Sequence, residues 1–178
     1  MTDPVTWLPA PLAPGLTEAE LSAVEARFGF RFAADHRALL AAALPVGPRF
    51  PDWRNGAEAE LRERLAWPVE GLLLSVEHGA FWYPAWGGRP AATADALALA
   101  RRELATVPPM VPIYSHRYLP GVGGPAGHPV LSMHQSDIIV YGADLPRYLR
   151  AEFGPDGCTP ELVAGARPTV PFWSDLLS

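Results

Sequence analysis

The residues best suited to chemistry are carboxylates set among tryptophans. Asp52, Glu70 and Glu77 lie close in sequence to Trp53, Trp67, Phe81, Trp82 and Trp86. An acid packed against indole rings has its pKa raised, the arrangement that serves glycosidase-type proton transfer. The competing reading is that tryptophan fills the core. Six tryptophans in 178 residues is a rich supply, however, and Phe81-Trp82-Tyr83 on a strand cannot all point inward. At least one aromatic is expected at the surface, where clustered aromatics favour binding. Trp53, Glu70, Glu77, Trp82 and Trp86 are therefore the candidate binding residues. Strand alternation sends Phe81 and Tyr83 to the core and Trp82 outward, with Trp86 released toward it by Pro84.

Other chemistry finds less support. The five histidines are His36, His78, His116, His128 and His134. His128 and His134, with Asp137 nearby, could form a metal or hydrolytic site. No His-x-x-x-His pair stands on a helix, though, and no Gly-x-Ser-x-Gly elbow frames Ser115 or Ser132. No catalytic residue, metal or cofactor is expected. The lone cysteine, Cys158, excludes an internal disulfide, and its setting has a carboxylate beside it and no base to favour a thiolate.

All 14 basic residues are arginine, which fits a GC-rich genome. Without lysine there is no Schiff-base nucleophile and no P-loop. The formal charge of −5, with no arginine-rich run, disfavours nucleic acid as a partner. The pairs Arg101/Arg102 and Arg147/Arg150 read as solvated helix faces. Residues 1–15 lack the charge pattern of a signal peptide, and the longest apolar run, 38–46, is too short for a bilayer. The expected location is the cytoplasm.

The length suits one domain, and 21 prolines with 16 glycines predict stiff, frequent loops. Residues 1–15 read as an extended, proline-rich arm, and 16–178 as a single α+β domain with a docked C-terminal tail. Thr17 and Glu20 form a capping box, Leu16 and Leu21 a hydrophobic staple, and Gly29 a stop, which predicts a helix between them. A second helix is expected over 34–44 and a third over 57–65, closed by Pro68. Residues 72–76 and 80–83 read as paired strands around His78-Gly79. A helix from Thr93 to about 106 precedes a strand over 110–118. The segment 119–127 has no GxGxxG spacing and no following helix, so it reads as a mobile, expendable loop. Strands over 130–134 and 137–141 share a turn at Gln135-Ser136, and Asp144 caps a helix ending at Phe153. Short links between consecutive strands point to a mainly antiparallel sheet.

The stretch Gly-Leu-Thr-Glu-Ala-Glu-Leu-Ser-Ala-Val-Glu-Ala-Arg-Phe-Gly-Phe-Arg-Phe-Ala-Ala-Asp-His-Arg-Ala-Leu-Leu over 15–40 resembles the start of the SUKH superfamily. That group holds Smi/Knr-type cell-wall regulators and bacterial toxin-immunity proteins. Glu25 occupies the family's acidic position, and Ala33 stands where proline is common. Val111-Pro112-Ile113, Pro129-Val130-Leu131-Ser132 and Asp137-Ile138-Ile139-Val140-Tyr141-Gly142 look similar too. The resemblance covers about 15–153 and departs from the family over 53–86. It implies an antiparallel-rich sheet backed by helices and no catalytic centre.

Together these readings point to a non-enzymatic protein-binding module, an immunity or regulatory protein that recognises a toxin or an enzyme. A basic toxin would suit the net negative charge. The alternatives are a small-molecule or carbohydrate site in a Trp-rich pocket, and then a hydrolase built on His128, His134 and Asp137 or on Glu70 and Glu77.

Overall fold

The computed structural model describes residues 4–9, 11–155, 157–167 and 170–177. Residues 4–7 form a 3₁₀ turn, and β1 (Leu12–Pro14) follows. Next come α1 (Glu18–Phe28), α2 (Ala34–Ala42) and β2 (Ala43–Pro45). The long α3 (Glu58–Glu77) precedes α4 (Thr93–Leu104). Then β3 (Met110–Tyr114), β4 (Arg117–Pro120), β5 (Val130–His134) and β6 (Asp137–Gly142) run consecutively. The described chain closes with α5 (Leu145–Phe153), α6 (Pro160–Val163) and a 3₁₀ turn over 173–176. The class is α+β in one domain.

The main sheet is an antiparallel meander in the order β3-β4-β5-β6. Side-chain alternation sends neighbouring residues to opposite faces. Tyr118 accordingly joins a core of Leu72, Val76, Ala96, Ala100 and Leu104 from α3 and α4. Its neighbour Leu119 packs with Leu145, Tyr148 and Leu149 of α5. Helices thus cover both faces of the sheet.

The first helix forms where its caps stand. Thr17 Oγ1 accepts from the Glu20 amide at 3.2 Å while the Thr17 amide donates to Glu20 Oε2 at 2.7 Å, and Gly29 takes the left-handed cap at φ 75°. Hydrogen bonds from Thr17 and Arg54 hold the Glu20 carboxyl down at about 2, Arg54 contributing most. Glu25 is buried, accepts from the Phe32 amide at 3.0 Å and pairs with Arg37 at 3.1 Å. It locks the α1–α2 corner. Asp144 caps α5 by accepting from the Arg147 amide.

Several expectations need correction. Residues 72–76 are not a strand but the second half of α3, and 81–83 form no strand either. The helix passes straight through Pro68. Proline lacks the amide that would bond the carbonyl four residues back. That orphaned acceptor, Arg64 C=O, instead receives the Tyr118 hydroxyl at 2.8 Å. Burial raises the Tyr118 pKa strongly, so the phenol stays a donor. A hydroxyl from the sheet replaces the missing amide.

Residues 110–118 are a hairpin rather than one strand, broken at Ser115-His116. The glycine-rich segment begins as packed structure: Leu119, Pro120 and Gly121 are buried. A Cβ on Gly121 would come within 2.7 Å of Val111 Cγ2, and Gly123 N–H donates to Arg31 C=O at 3.0 Å. The proline-rich N-terminal arm is tied in as well, through the β1–β2 pairing and a buried Leu8. At the other end, Trp173 is buried and donates from Nε1 to Pro108 C=O at 2.7 Å. Leu177 bridges to Ile138 on β6.

Tyr118→Phe removes the substitute donor and should cost about 1 kcal/mol, the net worth of one hydrogen bond to a part-buried carbonyl. In a Pro68→Ala background the restored amide can take over, so the same change should cost markedly less. Denaturant melts of the four proteins measure the coupling. Additive effects would show that the hydroxyl does not substitute for the amide.

His36 gives a second prediction. It is buried with no partner on Nδ1 among the described residues, and burial lowers its pKa from 6.5 to about 3. The unfolded chain therefore binds this proton first, and its contribution to stability is lost as pH falls below about 6.5. His36→Leu should flatten the loss of melting temperature between about pH 6.5 and pH 5. An unchanged slope would assign the acid sensitivity elsewhere.

Candidate functional site

Because α3 runs unbroken for 20 residues, one face carries a long, regular row. Its inner side buries Leu61, Pro68, Leu72 and Val76. Its outer side presents Glu60, Glu63, Trp67, Glu70, Leu74 and Glu77, all exposed. These positions follow i, i+3, i+7, i+10, i+14 and i+17, a single stripe on a helix. Trp67 is 45% exposed and Leu74 41%, two of the few large apolar side chains in solvent. Glu60 is held by Arg64 at 2.9 Å. Glu63, Glu70 and Glu77 have no ion-pair partner among the described residues, so their charge is free to meet a ligand.

Two hairpin turns form the opposite wall. Ser115-His116 links β3 to β4 and Gln135-Ser136 links β5 to β6. Ser115 and Gln135 have φ of 48° and 56°, the positive values that two-residue hairpin turns require. The turns lie close together: His116 C=O accepts from the Met133 amide at 2.9 Å, and the His116 and His134 rings are 6.3 Å apart. Gly71 lets the second turn rest on the helix. A Cβ there would sit 3.0 Å from Gln135 Cα. Trp67 Nε1 donates to Met133 C=O at 3.3 Å, tying the indole to β5.

Between helix and turns lie two adjoining depressions that share Trp67. One, of about 460 Å³, is lined by Glu60, Glu63, Arg64, Ser115, His116 and Tyr118. The other, of about 170 Å³, is lined by Glu70, Gly71, Leu74, His134 and Gln135. Burial, then Arg117 and His134, lowers the His116 pKa. At neutral pH that imidazole adds no positive charge to offset the glutamates.

The candidate residues do not converge as expected. Trp53 is core, 4% exposed and wedged against Phe28, Phe30 and Phe32. It cannot bind a partner directly. Trp82 and Trp86 are partly buried and pack on each other at 5.3 Å. Trp86 also stacks on Phe172 at 6.2 Å, while the Tyr83 hydroxyl donates to Asp175 at 2.5 Å. These rings hold the C-terminal segment down. With no strand over 81–83, alternation does not turn Trp82 outward. Glu70 and Glu77 stand on α3, and Glu70 borders the groove with Trp67 and Leu74.

The residues of the hydrolase reading sit in different surroundings. His128 is buried, while His134 is exposed on its turn beside His116. Among the described residues, no three His, Cys, Asp or Glu side chains are placed to hold a metal ion. Glu70 and Glu77 are two helical turns apart on the outer face of α3, roughly 10.5 Å along the axis. Trp67 and Leu74 were the residues missed as anchors. Their signal is the seven-residue spacing 60-67-74 alongside 63-70-77, hidden once the helix is ended at Pro68.

No family model, curated protein or solved structure matches this chain. No helix among the described residues is long and apolar enough to cross a membrane.

The two tryptophans should separate in stability. Trp53→Ala empties a core site and should cost roughly 3–5 kcal/mol. Trp67→Ala should cost about 1 kcal/mol or less, as for exposed positions. Paired thermal melts make the comparison, and equal losses would make Trp67 a core residue and remove it from the site.

Proposed function

We propose that this chain is a non-enzymatic protein-binding module whose docking face is the outer surface of α3. The observation that carries the reading is the exposed pair Trp67 and Leu74 among the unpaired Glu63, Glu70 and Glu77. An aromatic and an aliphatic anchor ringed by charge is the make-up of an interface centre and rim. The acids select a partner with a basic rim, and the net charge of −5 steers such a protein inward. An immunity or regulatory protein that neutralises a basic toxin or restrains an enzyme in the cytoplasm fits these features. The resemblance over 15–153 adds to that reading.

A small-molecule or carbohydrate ligand is the second reading, favoured by the groove of about 460 Å³ beside Trp67. Its size falls within the range of ligand pockets.

A photo-cross-linking residue placed at 67 or 74 tests the proposal in the native cell. The expected product is one basic protein joined at both positions, absent from a control position at Ala23 on α1. Its yield should fall as salt rises, because rim charges are screened. Equal capture at Ala23, or capture of acidic proteins only, would sink the docking face. No protein at either α3 position would favour the small-molecule reading.

A further inference from the structure

The outer row of α3 repeats every seven residues. Glu60, Trp67 and Leu74 form one line, and Glu63, Glu70 and Glu77 a second beside it. Two lines offset by three and four residues are the a and d positions of a coiled-coil seam. Here one line carries the two apolar anchors and the other is wholly acidic. From Glu60 to Glu77 the seam runs roughly 25 Å.

The spacing of the anchors decides what shape can use both. Trp67 and Leu74 are two turns apart, roughly 10.5 Å along the axis. A helix laid alongside repeats its own side chains at that same interval. An extended strand advances about 3.3 Å per residue, so this distance falls near three residues. Strand side chains three apart face opposite ways. A strand that reached one anchor would turn its next side chain away from the other.

Charge decides whose helix it is. Pairing this face with its copy would set the acidic lines of Glu63, Glu70 and Glu77 against each other or against Glu60. Like charges facing one another oppose such a dimer. A foreign helix bearing arginine or lysine opposite the acidic line satisfies all three carboxylates. Resting on the docking face proposed above, we infer that the α3 seam receives a basic amphipathic helix of another protein, with apolar side chains at heptad spacing against Trp67 and Leu74.

The test uses two synthetic peptides of about three heptads. One is an alanine-based helix with leucine at one seam position and arginine at the other. The second is the same peptide with two central alanines replaced by proline, which breaks the helix. Calorimetric titration against the full chain should show the helical peptide binding at least about tenfold more tightly. W67A should weaken it about tenfold or more, and E70Q should weaken it less while lowering the salt dependence. L74A serves as a second anchor variant, and thermal melts show that each variant is folded.

Equal affinity for both peptides, each weakened by W67A, would overturn the helical partner and leave the docking face standing. Binding indifferent to Trp67 and Leu74 would overturn both. Absence of binding by the helical peptide would reject the helix inference, while the cross-linking result still decides the face. A dimer of this chain in sedimentation equilibrium, lost in W67A, would assign the seam to a second copy and overturn the inference.

Discussion

The hydrogen bond from the Tyr118 hydroxyl to Arg64 C=O is the contact on which the site depends. Pro68 leaves that part-buried carbonyl without its helical donor, and an acceptor left unpaired there costs stability. The phenol comes from the middle of the sheet, so it satisfies the acceptor only if α3 lies on that face. One bond therefore joins three features: continuity of the helix, its docking on the sheet, and the register of its outer residues. Ended at Pro68, the helix would leave Leu74 and Glu77 out of line with Trp67.

Around this contact the sheet works as a platform with different duties on each side. Tyr118, Met133 and Ile138 meet α3, α4 and the C-terminal segment. Leu119 and Val130 meet α5 and the N-terminal segment. On the α5 side a polar network replaces part of the apolar core. Arg117 donates to Ser132 Oγ at 2.9 Å, pairs with Glu152 at 3.1 Å and lies 3.8 Å from the centre of the Tyr141 ring. A buried charge so fully engaged has little left for a ligand. The arginines of this chain mostly brace structure in the same way, as Arg54 does between Glu20 and the carbonyls of Pro14 and Gly15. On α3, Glu63, Glu70 and Glu77 have no ion-pair partner among the described residues and stand exposed.

The groove beside that row is shaped by two turns that need unusual backbone. Ser115 and Gln135 take positive φ, and Gly71 removes the one Cβ that would hold the second turn off the helix. These choices bring His116 and His134 together although 17 residues separate them in sequence. They fix the wall of the cleft beside Trp67. Within that wall Ser115 Oγ lies 3.2 Å from His116 Nδ1, and both residues line the larger depression.

What the sequence determined by itself is whatever rests on near neighbours. The α1 cap needs only Thr17, Glu20 and Gly29, the α5 cap only Asp144, and the last hairpin only alternation around Gln135-Ser136. Composition likewise settled the lack of lysine and of any internal disulfide. Residues 110–118 were half legible: they read as one strand, and the break at Ser115-His116 shows only in the pairing of β3 with β4. Tertiary structure decided the rest. Proline ends a helix unless some other donor serves the stranded carbonyl, and that donor lies 54 residues away at Tyr118. Which tryptophan is buried was also decided by tertiary contacts. Trp53 meets the phenylalanines of the α1–α2 corner, while Trp67 falls on the outer face of a helix that local rules would have stopped beside it. Burial depends on which surfaces meet, and the seven-residue spacing around Trp67 becomes a signal only once the helix is known to pass Pro68.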